Sequence, residues 1–502
     1  MTRASAHVWL NVAVVAAALA PVAHLAAQRT PTDWSPLERV VSEEMKAKGI
    51  PGVVVMVASA RRVIYSGAFG LANVDTKEVL TTNHLMQVGS ITKTFTALMA
   101  LQLKARGTVD IDAPIGGALP GLSPALAALT MRDLLHQRAG LRDVAGDDGP
   151  DADDQLLAWV KSLGDTMRVL PPGEAFSYSN VGFALAGAAA QEWARQPFAD
   201  LLRVNVLTPL GMTRSTMRPE EALASAHAAG HIGSAGSAGV SAKGIANDTR
   251  LWPAGYLWSS GDDMGRFLQA LVVDGRARTG TGLFRGVLDS AFAPAITVPG
   301  LPNDTRYGFG VFVDRSAWGE RVWHPGSVTG FSAFWAAIPA SRLAVAVLTN
   351  RDGVRLEPIA EAAFSVAIGS RASAARAGGR ANSPSPTGGS QARRRNRAST
   401  TSSSASSATD NSSDGSPVPR ELARSLEGVY EGRFPVELRW KDGALQLLRF
   451  GTVLRVTSLG GDRYRVRAPG QSTADDITII PAREGREPYV QMYLWAFVRT
   501  RP

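Results

Sequence analysis

A stretch that cannot form a hydrophobic core divides this chain of 502 residues into two parts. Residues 371–418 are rich in Ser, Ala, Gly and Pro and contain almost no large apolar side chains. This composition buries too little apolar surface to offset the entropy of ordering, so it predicts a disordered linker. The segment carries seven arginines against two aspartates, more than half of the net charge of +9. A nucleic-acid partner is therefore not expected, because the positive charge belongs to a solvated linker.

The part before the linker combines strand patterns at both ends with helical patterns in the middle. Apolar runs typical of strands lie at 52–57, 62–65, 308–313, 330–335 and 343–348, and residues 90–273 are mostly helical in pattern. An α/β (α+β) domain is therefore predicted at residues 37–368, with an antiparallel sheet flanked by helices and an inserted helical subdomain. The functional site is expected in the groove between the sheet and the inserted helices.

The part after the linker reads as a small all-β domain at residues 419–502, either a barrel or a sandwich. Short alternating runs continue to the end of the chain, and Asp442-Gly443 separates two of them as a hairpin turn. A further short strand is predicted at residues 493–495. Because this part contains no recognisable catalytic group, a packing or accessory role is expected, and a ligand-binding role is the alternative. A protease cut in the linker should then leave an active fragment that ends near residue 368.

The N-terminus has the pattern of an export signal. Arg3 precedes an apolar run from Val8 to about Ala20, and small residues follow up to Ala27. This predicts a signal peptide at residues 1–27 and a periplasmic or secreted protein, with no stable membrane span after cleavage. An uncleaved membrane anchor is the alternative. The chain contains no cysteine, which excludes disulfides, thiolate metal sites and a lipid-anchored cysteine.

A Ser-x-x-Lys tetrapeptide at Ser90 and Lys93 begins a run with helical pattern. Helical spacing places the two side chains one turn apart on the same face. A serine hydroxyl is a poor nucleophile until a base takes its proton, and an amine one turn away can help to do so. On its own this motif also fits a helix-capping serine followed by a solvated lysine.

Two further motifs follow in a fixed order: Tyr178-Ser179-Asn180, and then His324-Pro325-Gly326-Ser327 on a predicted edge strand. With Ser-x-x-Lys and their flanks, from about residue 37 to about residue 368, they resemble the active-site serine penicillin-recognising enzymes. That family contains class C β-lactamases, DD-peptidases, D-aminopeptidases and β-lactamase-like esterases. A serine hydrolase that needs no metal ion and no cofactor is what the resemblance implies.

The resemblance also implies a role for each motif residue. Ser90 would be the nucleophile, Lys93 its partner, and Tyr178 the proton acceptor in acylation and the donor to the leaving group. Asn180 would hold this network and bind a substrate amide. His324 and Gly326 belong to the third motif, and the N–H groups of Ser90 and Ser327 would form the oxyanion hole.

The third motif departs from the β-lactamase pattern, because His324 and Pro325 stand where those enzymes typically have lysine and threonine. An ester or small amide substrate, including one that contains D-amino acids, is therefore favoured over a β-lactam. Recognition of a substrate carboxylate should weaken as the imidazole loses its charge with rising pH, and His324→Lys should bring β-lactam turnover closer to ester turnover. A slowly deacylating penicillin-recognising sensor, and a true class C-like β-lactamase or DD-carboxypeptidase, remain as alternatives. The oligomeric state stays open.

Overall fold

The computed structural model describes residues 32–501 except 145, 147, 234–238, 243, 274–281, 382–414, 470, 472–473, 483–486 and 493. The predicted signal peptide and most of the predicted linker lie outside these residues. Along the part of the chain that is described, no helix is both long enough and apolar enough to span a lipid bilayer.

The strands before the linker come from both ends of this region. They are β1 (Gly52–Ser59), β2 (Val63–Asn73), β3 (Glu78–Val79), β4 (Met86–Gln87), β5 (His231–Ile232), β6 (Val240–Ser241), β7 (Trp258–Ser259), β8 (Ile296–Thr297), β9 (Arg306–Tyr307), β10 (Phe312–Ser316), β11 (Gly319–Val328), β12 (Phe331–Ile338) and β13 (Leu343–Thr349). The main sheet is antiparallel in the order β3-β2-β1-β13-β12-β11-β10-β9-β8, while β4 pairs with β7 and β5 with β6. The predicted sheet built from both chain ends is confirmed.

Helices cover both faces of this sheet. They are α1 (Ser35–Lys48), α2 (Thr92–Ala105), α3 (Pro124–Ala127), α4 (Met131–Leu135), α5 (Gln155–Lys161), α6 (Asn180–Ala194), α7 (Phe198–Leu202), α8 (Pro219–Leu223), α9 (Gly261–Leu271), α10 (Val287–Phe292) and α11 (Glu357–Ala381). Every residue of β1 is buried, because alternate side chains point to opposite faces and both faces are covered. Val53 and Val55 share one apolar cluster with residues of α1 and α11, whereas Val54 and Met56 face α9.

The part after the predicted linker is a β-domain, defined here as residues 415–501. It contains β14 (Ser416–Pro417), α12 (Arg420–Leu426), β15 (Gly428–Glu431), β16 (Val436–Lys441), β17 (Ala444–Arg449), β18 (Thr452–Gly460), β19 (Arg463–Arg467), β20 (Asp475–Ile480), β21 (Tyr489–Met492) and β22 (Trp495–Arg501). Pairing of β18 with β19 closes the strands into a barrel around an apolar interior. Positive φ angles at Asp442 and Gly443 match the predicted hairpin turn between β16 and β17.

Three predicted boundaries differ from the structure. Helix α11 continues to Ala381, because the alanine-rich sequence after residue 370 favours helix. At the other end of the predicted linker, β14 pairs with β18 and Val418 is buried. Of the strand predicted at residues 493–495, Leu494 is in a turn and Trp495 begins β22, while residue 493 lies outside the described residues.

The β-domain packs directly against the domain before the linker. Arg142 forms an ion pair with Glu431 at 3.0 Å, and the Gln491 amide donates to the Phe176 carbonyl at 2.7 Å. Apolar side chains of both parts share one cluster at this junction, among them Leu170, Ala175, Tyr489 and Ala496. The β-domain therefore packs against the stretch that leads into the Tyr178 motif.

Candidate active site

Ser90 lies in a 3₁₀ turn, Gly89–Ile91, that leads directly into α2. Two glycines allow this turn to touch β11. Gly89 has φ 52°, and a Cβ atom there would meet the Ser327 amide nitrogen at 2.5 Å. A Cβ atom on Gly326 would meet the Val88 carbonyl oxygen at 1.9 Å. The backbone of the third motif is therefore held against the turn that carries Ser90.

Lys93 is fully buried and its Nζ lies within hydrogen-bond distance of three oxygen atoms. These are Ser90 Oγ at 3.2 Å, Asn180 Oδ1 at 2.7 Å and the Ala254 carbonyl at 2.8 Å. Burial lowers the pKa of Lys93 to about 7, against the opposing effect of the Asp143 charge. A neutral amine has two N–H groups and one lone pair. Because Asn180 Oδ1 and the Ala254 carbonyl can only accept, a neutral Lys93 directs its lone pair at the Ser90 hydroxyl.

Tyr178 is a second partner of the same hydroxyl. Its side chain is hydrogen-bonded to Ser90, and Lys93 Nζ lies 4.6 Å from the centre of its ring. Burial raises the pKa of Tyr178 well above its ordinary value, so the phenol keeps its proton near neutral pH. The Tyr178 backbone N–H donates to the Leu494 carbonyl of the β-domain at 2.7 Å.

Asn180 is the first residue of α6, and Asp143 fixes its orientation. Ser179 caps this helix by accepting from the Gly182 N–H at 3.1 Å. The Asn180 N–H donates to Asp143 Oδ1 at 2.6 Å, and Asn180 Nδ2 donates to the Val144 carbonyl at 3.2 Å. With Nδ2 so engaged, Oδ1 is left to face Lys93.

His324 is buried, and both of its ring nitrogens have partners. Nδ1 lies 2.6 Å from the Pro325 carbonyl, which can only accept, so Nδ1 carries the proton. Nε2 then accepts from the Tyr307 hydroxyl at 3.1 Å. Burial, assisted by the charge of Lys93, lowers the pKa of His324 to about 3. The expected loss of imidazole charge with rising pH is therefore wrong, because this ring is neutral throughout the physiological range.

A cleft of about 800 Å³ opens over these groups. Its lining includes Ser90, Tyr178, Asn180, His324 and residues 325–329, together with Arg433 and Leu494 of the β-domain. β11 pairs with β10 only as far as Trp323, opposite Phe312. The prediction of an edge strand therefore holds only for the end of β11 that follows Trp323 and borders this cleft. The structure thus brings all the predicted site residues, including Gly326 and Ser327, to one place.

Four further residues complete the site and were missed in the sequence: Asp143, Tyr307, Arg433 and Leu494. Asp143 and Tyr307 are isolated polar residues outside any motif, and only their contacts reveal them. Arg433 forms an ion pair with Asp143 at 3.1 Å although they lie 290 residues apart in the chain. The β-domain therefore contributes to the lining of the cleft, so a fragment that ends near residue 368 is no longer expected to be active.

The arrangement is suited to activating a serine for attack on a carbonyl. It offers a hydroxyl beside an amine of lowered pKa, a protonated phenol hydrogen-bonded to that hydroxyl, and backbone N–H groups where a strand meets the nucleophile turn. These are the components of nucleophilic catalysis with electrostatic stabilisation of an oxyanion.

Comparison with known proteins identifies the family of this chain. The family described as Beta-lactamase matches residues 37–367. Penicillin-binding protein 4 of Amycolatopsis lactamdurans is 28% identical over 305 residues, which are 56% of this chain and 76% of that protein. Protein flp of Staphylococcus aureus is 22% identical over 334 residues, covering 65% of this chain and 64% of flp. The chain thus covers less than two thirds of the length of flp.

Solved structures show the same fold. The octameric penicillin-binding protein homologue from Pyrococcus abyssi has a TM-score of 0.60 at 20% identity and covers 93% of this chain and 100% of its own. SurE has a TM-score of 0.66 at 22% identity, with 93% and 98% covered. A D-stereospecific amidohydrolase from Streptomyces has a TM-score of 0.53 at 24% identity, with 66% and 98% covered. The first two likenesses extend over the β-domain.

Proposed function

The chain belongs to the β-lactamase family of serine hydrolases, and from this premise we propose that it hydrolyses an ester or small amide through a covalent acyl-enzyme on Ser90. One observation carries the proposal. The Lys93 amine lies 3.2 Å from the Ser90 hydroxyl, while its other two neighbours can only accept hydrogen bonds. A neutral Lys93 can therefore take the proton of Ser90 and of no other group in its contact shell.

In the proposed acylation, Ser90 Oγ attacks the substrate carbonyl carbon as its proton passes to Lys93, and not to Tyr178 as the resemblance implied. The negative charge on the substrate oxygen is stabilised by the N–H groups of Ser90 and Ser327, a contribution of about 10²–10³ in rate for each donor. Tyr178, which retains its proton, donates to the leaving alcohol or amine and is reprotonated from Lys93. Water then attacks the acyl-enzyme by the reverse sequence, and the acid is released.

The substrate class follows from the neutral state of His324. A β-lactam or a peptide ending in a carboxylate benefits from a fixed positive charge at this position, and an imidazole with a pKa of about 3 supplies none. A simple ester or an amide needs no such charge. Two structural neighbours add support for D-amino-acid substrates, since one is a D-stereospecific amidohydrolase and SurE was crystallised with D-Leu.

Export of the protein is part of the proposal. It rests on the apolar run from Val8 to about Ala20 and on the small residues that follow it. Sequencing of the N-terminus of the protein recovered from outside the cytoplasm tests this point. A mature chain that begins near residue 28 is the expected result, and an intact residue 1 would contradict it.

Active-site labelling tests the covalent step. A fluorophosphonate probe should add one adduct to the protein, and peptide mass mapping should locate it on Ser90. Ser90→Ala should abolish labelling and hydrolysis of p-nitrophenyl esters, whereas Ser162→Ala, an exposed serine at the end of α5, should leave both unchanged. Labelling that persists in Ser90→Ala would overturn the assignment. A single burst of product with no steady state would instead favour the slowly deacylating sensor.

A further inference from the structure

The β-domain places a charged side chain in the cleft at a point where the N-terminal part has a buried carboxylate. Arg433, in the turn between β15 and β16, lines the cleft, and its guanidinium packs 4.6 Å from the centre of the Trp495 ring. Arg433 Nη1 lies 3.1 Å from Asp143 Oδ2. The Asp143 side chain has no solvent exposure, and that of Arg433 is 33% exposed. An aspartate buried to this degree requires a compensating partner.

Asp143 is in turn the partner that orients Asn180. Its Oδ1 accepts the Asn180 backbone N–H at 2.6 Å, and its Oδ2 lies 3.5 Å from Asn180 Nδ2. Rotation of the amide by half a turn would place Nδ2 against Lys93 and Oδ1 against the carboxylate. Both contacts would then be unfavourable, so Asp143, together with the Val144 carbonyl that accepts from Nδ2 at 3.2 Å, selects the orientation in which Oδ1 accepts from Lys93 at 2.7 Å.

We propose that Arg433 and Asp143 form a positioning pair through which the β-domain orients Asn180 and sets the charge beside Lys93. Arg433 holds Asp143 as a carboxylate, Asp143 holds the Asn180 amide, and Asn180 holds Lys93 beside Ser90. Neither member of the pair touches the reacting atoms. The inference rests on the proposed function, because it assigns these residues to the proton transfer from Ser90.

The charges around Lys93 predict the direction in which each variant shifts the pH at which Lys93 loses its proton. Asp143 favours the protonated amine and Arg433 disfavours it; the other titratable groups that face Lys93, Tyr178 and His324, are both neutral near pH 7. Removing the charge of Arg433 should make the Lys93–Asp143 pair retain its last proton to higher pH. Removing the charge of Asp143 should have the opposite effect. A residue with a merely structural role would produce neither shift.

The test is the pH profile of kcat/KM for a neutral p-nitrophenyl ester, measured on the full chain. Arg433→Met should lower kcat/KM by about 10- to 100-fold at pH 7 and move the acidic limb to higher pH. Asp143→Asn should also lower kcat/KM, but should move the limb to lower pH. Arg433→Lys keeps the positive charge, so its acidic limb should lie at the same pH as that of the wild type.

Glu431→Gln is the matched control. It breaks the ion pair with Arg142 at the same domain junction, two residues from Arg433, and among the described residues no ion pair joins it to Asp143. Its pH profile should match that of the wild type, and thermal unfolding of every variant reports its folding. Should Arg433→Met fail to fold, the shift of the acidic limb to lower pH that is expected for Asp143→Asn still tests the proposal.

Unchanged limbs in both Arg433→Met and Asp143→Asn would overturn the proposal, as would a shift of the same size in Glu431→Gln. A rise in KM confined to substrates that carry a carboxylate, with no change in the pH profile, would make Arg433 a substrate-binding residue and overturn it too. The proposed function is tested separately: labelling that is lost in Ser90→Ala, together with unshifted limbs, sinks the positioning pair alone.

Discussion

The Tyr307 hydroxyl donates a hydrogen bond to Nε2 of His324 at 3.1 Å inside a cluster of aromatic side chains. This contact, together with the Nδ1 bond to the Pro325 carbonyl, holds the imidazole as one neutral tautomer. His324 therefore shapes the wall of the cleft without contributing charge. The third motif of this chain is a rigid, uncharged support for the strand that meets the nucleophile turn.

Tyr307→Phe should lower the free energy of unfolding by about 1–3 kcal/mol, because it leaves the buried Nε2 of His324 without its donor. Activity of the folded enzyme should fall as well, since His324 lines the cleft. Tyr430→Phe is the control, because it removes a buried hydroxyl that donates to Leu426 within the β-domain at 2.6 Å. That variant should lose stability and keep its activity. Chemical denaturation and steady-state kinetics measure the two effects, and equal activity in both variants would contradict the role given to Tyr307.

His324→Lys should not convert the site into a β-lactamase, contrary to the expectation from the motif alone. The ammonium group would be buried beside Lys93 and without a carboxylate partner, which should destabilise the fold by about 3–5 kcal/mol. We expect ester and β-lactam turnover to fall together. Both substrates should be compared on one purified sample, and faster β-lactam turnover in the variant would show that position 324 does contact the substrate carboxylate.

The pH dependence of ester hydrolysis should follow the deprotonation of Lys93. Its pKa is lowered from 10.5 to about 7, so the amine is mostly protonated at pH 6 and mostly neutral at pH 8. If the neutral amine is the base, kcat/KM for a substrate without titrating groups must rise with pH through about 7 and then level off. A profile that stays flat between these pH values would contradict a proton-accepting role for Lys93.

Much of this arrangement could be predicted from the sequence, because local patterns determine it. Continuous apolar runs such as β1 indicate strands covered on both faces, and Ser90 and Lys93 are adjacent through helical spacing alone. Asp143 and Arg433 could not be found in this way. Their roles depend on a contact between two parts of the chain that no local pattern relates, and a lone aspartate or arginine in a turn is more often solvated. The state of His324 likewise depends on burial and on Tyr307.

The β-domain should be required for activity. A chain that ends before residue 415 loses the Leu494 carbonyl that accepts from the Tyr178 N–H, and it exposes the apolar surface around Phe176. We expect no measurable esterase activity from it. The control is trypsin cleavage of the intact protein in the arginine-rich segment 393–397, which leaves both parts present. The nicked protein should elute as one species and stay active, whereas full activity in the truncated chain would contradict a role for the β-domain in the site.

Gly326→Ala should abolish activity while leaving most of the fold in place. The added methyl group would meet the Val88 carbonyl oxygen at 1.9 Å, far inside van der Waals contact, so β11 must move away from the turn that carries Ser90. Such a shift separates the Ser327 N–H from the carbonyl oxygen of the bound substrate, and a displacement of about 1 Å can cost about 100-fold in rate. Gly255→Ala is the control, because Gly255 also lines the cleft but a methyl group there meets nothing within 4 Å. Comparable kcat values for the two variants would show that the close approach of β11 to the nucleophile turn is not needed for the reaction.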